Sequence, residues 1–437
     1  MGRQVVDRPI LLATVWVIVA GVAAASPAAA APNTQRLSVS SGDVQGDSGS
    51  LYSAASGKGT LTAFDSGATN LVANDANGAQ DVFVRNKKSG KTSLVSVRSN
   101  GAQGNGNSGV PDISEDGRFV VFVSTATNLV ANDGNGSSDV FIRDRKKKKT
   151  KRVSTRSNGG EANGFSSNPS ISVDGRYVAF TSSASNLVSG DSNGQQDVFV
   201  KDRKNGKTTR VSVRSNGAQG NGLSSLPSIS PDGRHVVFSS DATNLVPNDS
   251  NGATDVFIHT RKNKKTKRVS VSSNGAQSNS ASFTPALADG KIVVFISSAT
   301  NLVPNDTNAT TDVFVRNIGT KQTRRVSVSS AGVEGNNASG DPPGISADGR
   351  YVVFTSIASN LIGNDTNAVA DVFMRDRKKQ RTTRLSVRFD GTEGNNGSGV
   401  PDISMNGRFV SFASNATNLV GGDTNAAPDV FLRGPLK

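Results

Sequence analysis

Short apolar runs recur along this chain at a near-constant spacing, each bounded by polar turn residues. One unit shows the pattern. "NPSIS" (Asn168–Ser172) precedes the turn "VDGR", and "YVAFTS" (Tyr177–Ser182) follows it. A polar loop then leads to "DVFVKD" (Asp197–Asp202), and the turn "RKNGKT" leads to "TRVSVR" (Thr209–Arg214). The runs are rich in Val, Phe, Ile and Thr, while Gly, Asn, Asp and Ser separate them, as strands and turns require. "YVVFTS" at Tyr351–Ser356 is almost continuously apolar, which fits a strand covered on both faces. The pattern predicts four short antiparallel strands per unit.

The unit repeats seven times. The motif D-x-N-x-x-x-D-V-F begins at Asp75, Asp133, Asp191, Asp249, Asp306, Asp365 and Asp423, at intervals of 58, 58, 58, 57, 59 and 58 residues. Length alone suggests about three domains, but the repeat makes residues 31–437 one array. Seven units of four strands predict an all-β, seven-bladed β-propeller. The termini favour a closed ring over a linear array. The last unit stops after "PDVFLR" (Pro428–Arg433), and the missing fourth strand, "TQRLSVS", stands at Thr34–Ser40. Pairing Gln35–Ser40 with the last blade removes an open edge.

Composition adds three points. Residues 1–30 carry Arg3 and Arg8, an apolar run from Ile10 to Ala25, and an A-x-A arrangement at Ala28 and Ala30. This is the layout of a secretory signal, which predicts an extracellular or periplasmic protein. No second apolar stretch is long enough to span a membrane. The chain has no cysteine, which excludes disulfides, thiol nucleophiles and cysteine metal sites. Hydrophobic content of 34% is low, and the regular strands argue against disorder.

The second-strand pattern S-x-D-G-R-x-V-x-F appears as "SEDGRFVVF", "SVDGRYVAF", "SPDGRHVVF" and "SADGRYVVF". It resembles the TolB-like, WD40-like (PD40-type) propeller repeat. The resemblance implies a D-G turn between the first two strands and an Asp opening a later strand, here Asp81, Asp139, Asp197, Asp255, Asp312, Asp371 and Asp429. The first unit departs from it: "AASGKGTLTAF" lacks the turn Asp, so an irregular first hairpin is expected.

Two sets of residues carry candidate chemistry. The loops offer two carboxylates and an amide each: Asp75, Asn77 and Asp81; Asp133, Asn135 and Asp139; Asp191, Asn193 and Asp197; Asp249, Asn251 and Asp255; Asp306, Asn308 and Asp312; Asp365, Asn367 and Asp371; Asp423, Asn425 and Asp429. Calcium takes about six to eight oxygens, so weak calcium binding is one reading. Asx turns that fix the loop are the other. The second set is basic. Six ten-residue windows at the third-to-fourth turns hold 33 of the 49 Lys and Arg residues, in a chain of net charge +14. Arg143, Arg145, Lys146, Lys147, Lys148, Lys149, Lys264, Lys265, Arg377, Lys378 and Lys379 are the candidate anion-binding residues.

Catalytic residues are not evident. His235 takes a Tyr or Phe position and is expected to pack, whereas His259 takes an Arg or Lys position and is expected to be solvated. No G-x-S-x-G elbow with a nearby His is present. The sequence therefore reads as a secreted, monomeric, non-catalytic binding scaffold. Its expected partner is a protein or an anionic cell-envelope polymer rather than nucleic acid. The alternative is an extracellular hydrolase or lyase working at the Asp/Asn face.

Overall fold

The computed structural model describes residues 33–436, and the expected signal at residues 1–30 lies outside the described residues. Among the described residues, twenty-eight strands form seven four-stranded antiparallel sheets. Blades 1 to 6 span residues 50–94, 108–152, 166–210, 224–268, 282–325 and 339–384. Blade 7 takes residues 398–434 and, as its outer strand, Asn33–Arg36. No helix among the described residues is long and apolar enough to cross a membrane.

Blade 3 explains the pattern. Its second strand, Tyr177–Ser182, pairs residue for residue with its third, Asp197–Asp202, and sets Phe180 opposite Phe199. Both rings are fully buried. They stack with centroids 5.8 Å apart, and every blade repeats the pair at 5.8–5.9 Å. Such a pair contributes about 0.5–1.5 kcal/mol beyond its buried area. The core lies between blades, because Phe180 packs against Val121, Val140 and Ile142 of blade 2.

The ring is closed. Asn33–Arg36 runs antiparallel to Asp429–Gly434, with Thr34 opposite Arg433. Leu37 extends the contact through an N–H bond to the Val430 carbonyl at 2.7 Å. The strand starts and ends earlier than the expected Gln35–Ser40. The blade-3 outer strand is likewise Thr208–Arg210 rather than Thr209–Arg214. One cause serves both: the serine after each strand turns inward to a buried carboxylate, Ser38 to Asp429 and Ser212 to Asp197, each at 2.5 Å.

The first strands hold a second departure. In blade 3 this strand is Ser166–Ile171, with a register shift between Ser167 and Ser170. Asn168, just before Pro169, takes a left-handed φ of 48°. Val110, Leu226, Thr284, Asp341 and Val400 do the same in blades 2, 4, 5, 6 and 7. A non-glycine residue there costs on the order of 1–3 kcal/mol, so the bulge is held by its surroundings. Blade 1 has Tyr52 and Ser53 at these positions and no such residue. Its first strand still shifts register, between Ser50 and Ser53, but the turn that follows closes as in its siblings, contrary to expectation. Gly59 donates to the Ser56 carbonyl at 2.7 Å, as Gly117 donates to Ser114 at 2.8 Å in blade 2. The serine and glycine close this turn without the aspartate.

Candidate functional site

The Asp/Asn loops turn inward. The second aspartate of every motif opens a third strand and is fully buried. In blade 3, one oxygen of Asp197 accepts the Ser212 hydroxyl, and that serine's oxygen accepts the Val198 N–H at 3.0 Å. The other oxygen accepts from Gln219 and from Arg210, each at 3.2 Å. Arg210 also pairs with Asp191 at 3.2 Å. Asn193 donates to the Gly220 carbonyl at 2.9 Å and accepts the Gln195 N–H at 3.0 Å. The loop is therefore an Asx-type turn locked to the crossing that leads to the next blade.

An arginine from the end of an outer strand stands between the two carboxylates in six blades. These are Arg152, Arg210, Arg268, Arg325, Arg384 and Arg36, paired with the aspartates of blades 2 to 7. A guanidinium thus occupies the place where the calcium reading puts an ion. In blades 2, 5 and 6 a glutamate joins, so Asp133, Asp139 and Glu161 and their counterparts Asp306, Asp312, Glu334 and Asp365, Asp371, Glu393 lie within 4.8 Å of one another. Burial pushes Asp139 and Asp365 up to about 6. Blade 1 differs. Leu94 replaces the arginine, and Asp75 and Asp81 share only the Gln103 amide, at 2.6 and 2.8 Å. Burial raises both carboxyls above their ordinary range.

The basic windows divide into four groups. Their first residues are buried clasps. Arg143 donates to the Arg98 carbonyl at 3.1 Å and to Thr150 at 3.0 Å, and Arg316 and Arg375 bind the preceding crossing in the same way. His259 belongs to this group and is buried, not solvated, with its Nδ1 2.9 Å from the Thr266 hydroxyl. Burial lowers it to about 4. The last residues of five windows, from Arg152 to Arg384, are the arginines of the Asp/Asn nodes. Arg145 and Arg377 are half-buried, and each bonds a turn carbonyl, of Gly117 and Gly349. Lys146, Lys147, Lys148, Lys149, Lys264, Lys265, Lys378 and Lys379 remain exposed. A window of sequence counts these groups together because it cannot tell which way each side chain turns. His235 is half-buried as expected, with its Nδ1 3.1 Å from the Thr260 hydroxyl.

The axial tunnel is the feature that sequence reasoning passed over. The seven first strands line it, enclosing about 400 Å³. Prolines 111, 169, 227, 285, 342, 343 and 401 supply much of its wall. One ring of equivalent positions reads Ala54, Asp112, Ser170, Ser228, Ala286, Gly344 and Asp402 from blade 1 to blade 7. Asp112 accepts the Ile171 N–H of the next blade at 2.8 Å, and Asp402 accepts the Ala55 N–H at 2.9 Å. Ser170 and Ser228 make the same bond, each at 3.2 Å. Burial pushes Asp112 up to about 6, and burial with the charge of Asp112 pushes Asp402 up to about 7. Aligning "VPDIS" with "NPSIS" and "LPSIS" is the signal that could have singled these two acids out.

No curated protein matches the chain. A family model described as the C2 domain matches residues 117–163, which here form the last three strands of blade 2 and the crossing after them. Among solved structures, an oligogalacturonate lyase in complex with manganese is 12% identical with a TM-score of 0.55, covering 92% of this chain and 93% of that one. The β-propeller domain of the Trilobed protease from Pyrococcus furiosus, which has an open velcro topology, is 11% identical with a TM-score of 0.51, covering 84% and 91%. TolB from Acinetobacter baumannii is 15% identical with a TM-score of 0.41, and the chain spans 59% of its length. The first two likenesses show the fold class, a β-propeller. This ring is closed by its N-terminal strand.

Proposed function

We propose that the mature chain is a secreted, non-catalytic binding scaffold of the TolB-like propeller type, whose lysine-tipped face holds an anionic cell-envelope polymer. One observation carries the reading. The hairpin tips Lys146–Lys149, Lys264–Lys265 and Lys378–Lys379 are exposed on the same face. The ion pairs on that face use Arg118, Arg176 and Arg350 with Asp144, Asp202 and Asp376, and so leave these lysines to solvent. Like charges crowded on one rim favour a counter-anion. The alternative, a hydrolase or lyase at the Asp/Asn face, needs free carboxylates, and an arginine holds those pairs in six blades.

The test is retention on immobilised polyglutamate and heparin. Wild type is retained at low salt and released toward 1 M, where the screening length falls to about 3 Å. Changing Lys146, Lys147, Lys148 and Lys149 to Ser lowers the salt needed for release. No retention at low salt, or retention that survives both the quadruple change and high salt, overturns the reading.

A further inference from the structure

The two axial acids do a job that the fold assigns elsewhere to serine or leaves undone. Asp112 and Asp402 each cap one N–H of the next blade. Ser170 and Ser228 cap the equivalent N–H with a hydroxyl. Ala54, Ala286 and Gly344 stand at the same ring position with no polar side chain at all. Ring closure therefore does not require a carboxylate. Burying one is costly, and that cost appears as the upward displacement of both carboxyls from the ordinary range near 3.8.

Their placement points to a purpose. The acids belong to blades 7 and 2 and flank blade 1, where Ala54 puts only a methyl group at the same ring position. Glu115 lines the same side, next to Gly57 of blade 1, where any Cβ would collide with the Glu115 side chain. Among the described residues the charged groups of the tunnel wall are these three acids, with no Lys, Arg or His, although the whole chain carries a net charge of +14. Ser53, which takes the proline position in blade 1, also lines the tunnel. It is only 8% exposed, and its hydroxyl has no hydrogen-bond partner among the described residues. A cavity of this size falls within the roughly 300–1,000 Å³ of small-ligand sites, which are mostly apolar with a few convergent polar groups.

We propose that the axial tunnel is a binding site for a small organic amine. Its apolar body lies against the proline wall, and its ammonium is held between Asp112 and Asp402, with the Ser53 hydroxyl as a further acceptor. An ammonium has three donors and no acceptor, which suits a wall of carboxylates that also carries the unpartnered Ser53 hydroxyl. The bonds are charge-assisted and enclosed, and so stronger than neutral ones.

The probes are benzylamine and spermidine, with benzyl alcohol as the neutral analogue, titrated calorimetrically into the full chain at about pH 8, above the range of both carboxyls. Benzylamine should bind at least about tenfold more tightly than benzyl alcohol. The double variant Asp112→Ser, Asp402→Ser keeps the inter-blade bond in the form blades 3 and 4 use. It should lower amine affinity about tenfold or more and leave the alcohol unchanged. If its melting curve shows that it does not fold, Asp112→Asn and Asp402→Asn singly give the same readout. Equal affinity for amine and alcohol, no heat from either amine up to millimolar concentration, or full amine affinity in the folded variant overturns the proposal. The quadruple lysine variant should bind benzylamine like wild type, so this test and the polyanion test fail separately.

Discussion

Blade 3 and blade 1 have the same four-strand frame and opposite fillings. Blade 3 has an arginine between its paired aspartates, a proline bulge in its first strand, a serine at the axial ring, and an aspartate in its first turn. Blade 1 has Leu94, Ser53, Ala54 and Lys58 at those places. It also gains a buried acid. Asp65 accepts the Tyr52 N–H at 3.0 Å and the Val110 N–H of blade 2 at 2.9 Å, where blade 3 has Thr181. Even so, the Phe64–Phe83 stack is that of every sibling, and the closing turn is that of blades 2, 3, 4, 6 and 7. The backbone and the stacked pair are therefore enough to make a blade. The polar nodes are additions, and where they are relaxed the chain can place groups that folding does not ask for. Two of the blade-1 substitutions, Ser53 and Ala54, line the tunnel together with the acids of the neighbouring blades.

The largest effect should come from opening the ring at blade 7. Removing residues 33–40 takes away Leu37, which is fully buried, together with the Arg36 pair to Asp423 and Asp429. Losing one partner of a buried pair alone costs about 3–5 kcal/mol. The deletion should cost more, and lower the melting temperature and protease resistance together. Unchanged melting would deny the closing strand its role.

Next is the node itself. Arg210→Leu turns the blade-3 node into a copy of the blade-1 node and leaves Asp191 and Asp197 uncompensated. It should destabilise by about 3–5 kcal/mol in chemical denaturation. Leu94→Arg in blade 1 should be far milder or stabilising, since it supplies the missing cation. Equal and opposite effects of small size would mean that the nodes are not electrostatic locks.

Smaller effects follow from pH. Buried His259 sits near pH 4 against an ordinary value of 6.5, so only the unfolded chain takes up its proton between these values. Its contribution is present above about pH 6.5 and is lost as pH falls toward 4. His259→Arg, the residue of blades 1, 2, 5, 6 and 7, should flatten that loss. The axial acids act with the opposite sign. Asp112 and Asp402 hold protons in the folded state up to about 6 and 7, so they favour folding at low pH and oppose it as pH rises through that range. The Asp112→Ser, Asp402→Ser variant should therefore melt a few degrees higher than wild type at about pH 8, with no gain near pH 4. A gain that is the same at both values would place its origin in packing.

The smallest effect concerns calcium. With Arg325 between Asp306 and Asp312, millimolar calcium should move the wild-type melting temperature by less than about 1 °C. Arg325→Leu exposes three carboxylates to one another and should make the melt calcium-sensitive. A strong calcium response in wild type would favour the ion-binding reading of the loops.

Blade number, strand order and ring closure were legible because each rests on local pattern. "YVAF" and "DVF" place two phenylalanines that a two-residue period must set face to face, and every unit repeats them. The fourth-strand boundary was misread because "VSV" alternates like a strand, while its serine is recruited by an aspartate fifteen residues earlier. Arg143, Arg152 and Lys147 lie within ten residues of one another, yet one clasps a crossing, one fills an acidic node and one meets solvent. His259 was misjudged for the same reason.

The sequence by itself determined that this chain is a ring of seven near-identical antiparallel sheets. Strand and turn signals act over a few residues, and their repetition leaves one regular way to bury them. Only the tertiary structure decided which charges are paired, buried or free. Those outcomes depend on contacts such as Asp112 with Ile171, 59 residues apart, and Asp402 with Ala55, across the closure. The energy of a charge is set by the dielectric and the partners around it, and in a propeller a neighbouring blade supplies many of these.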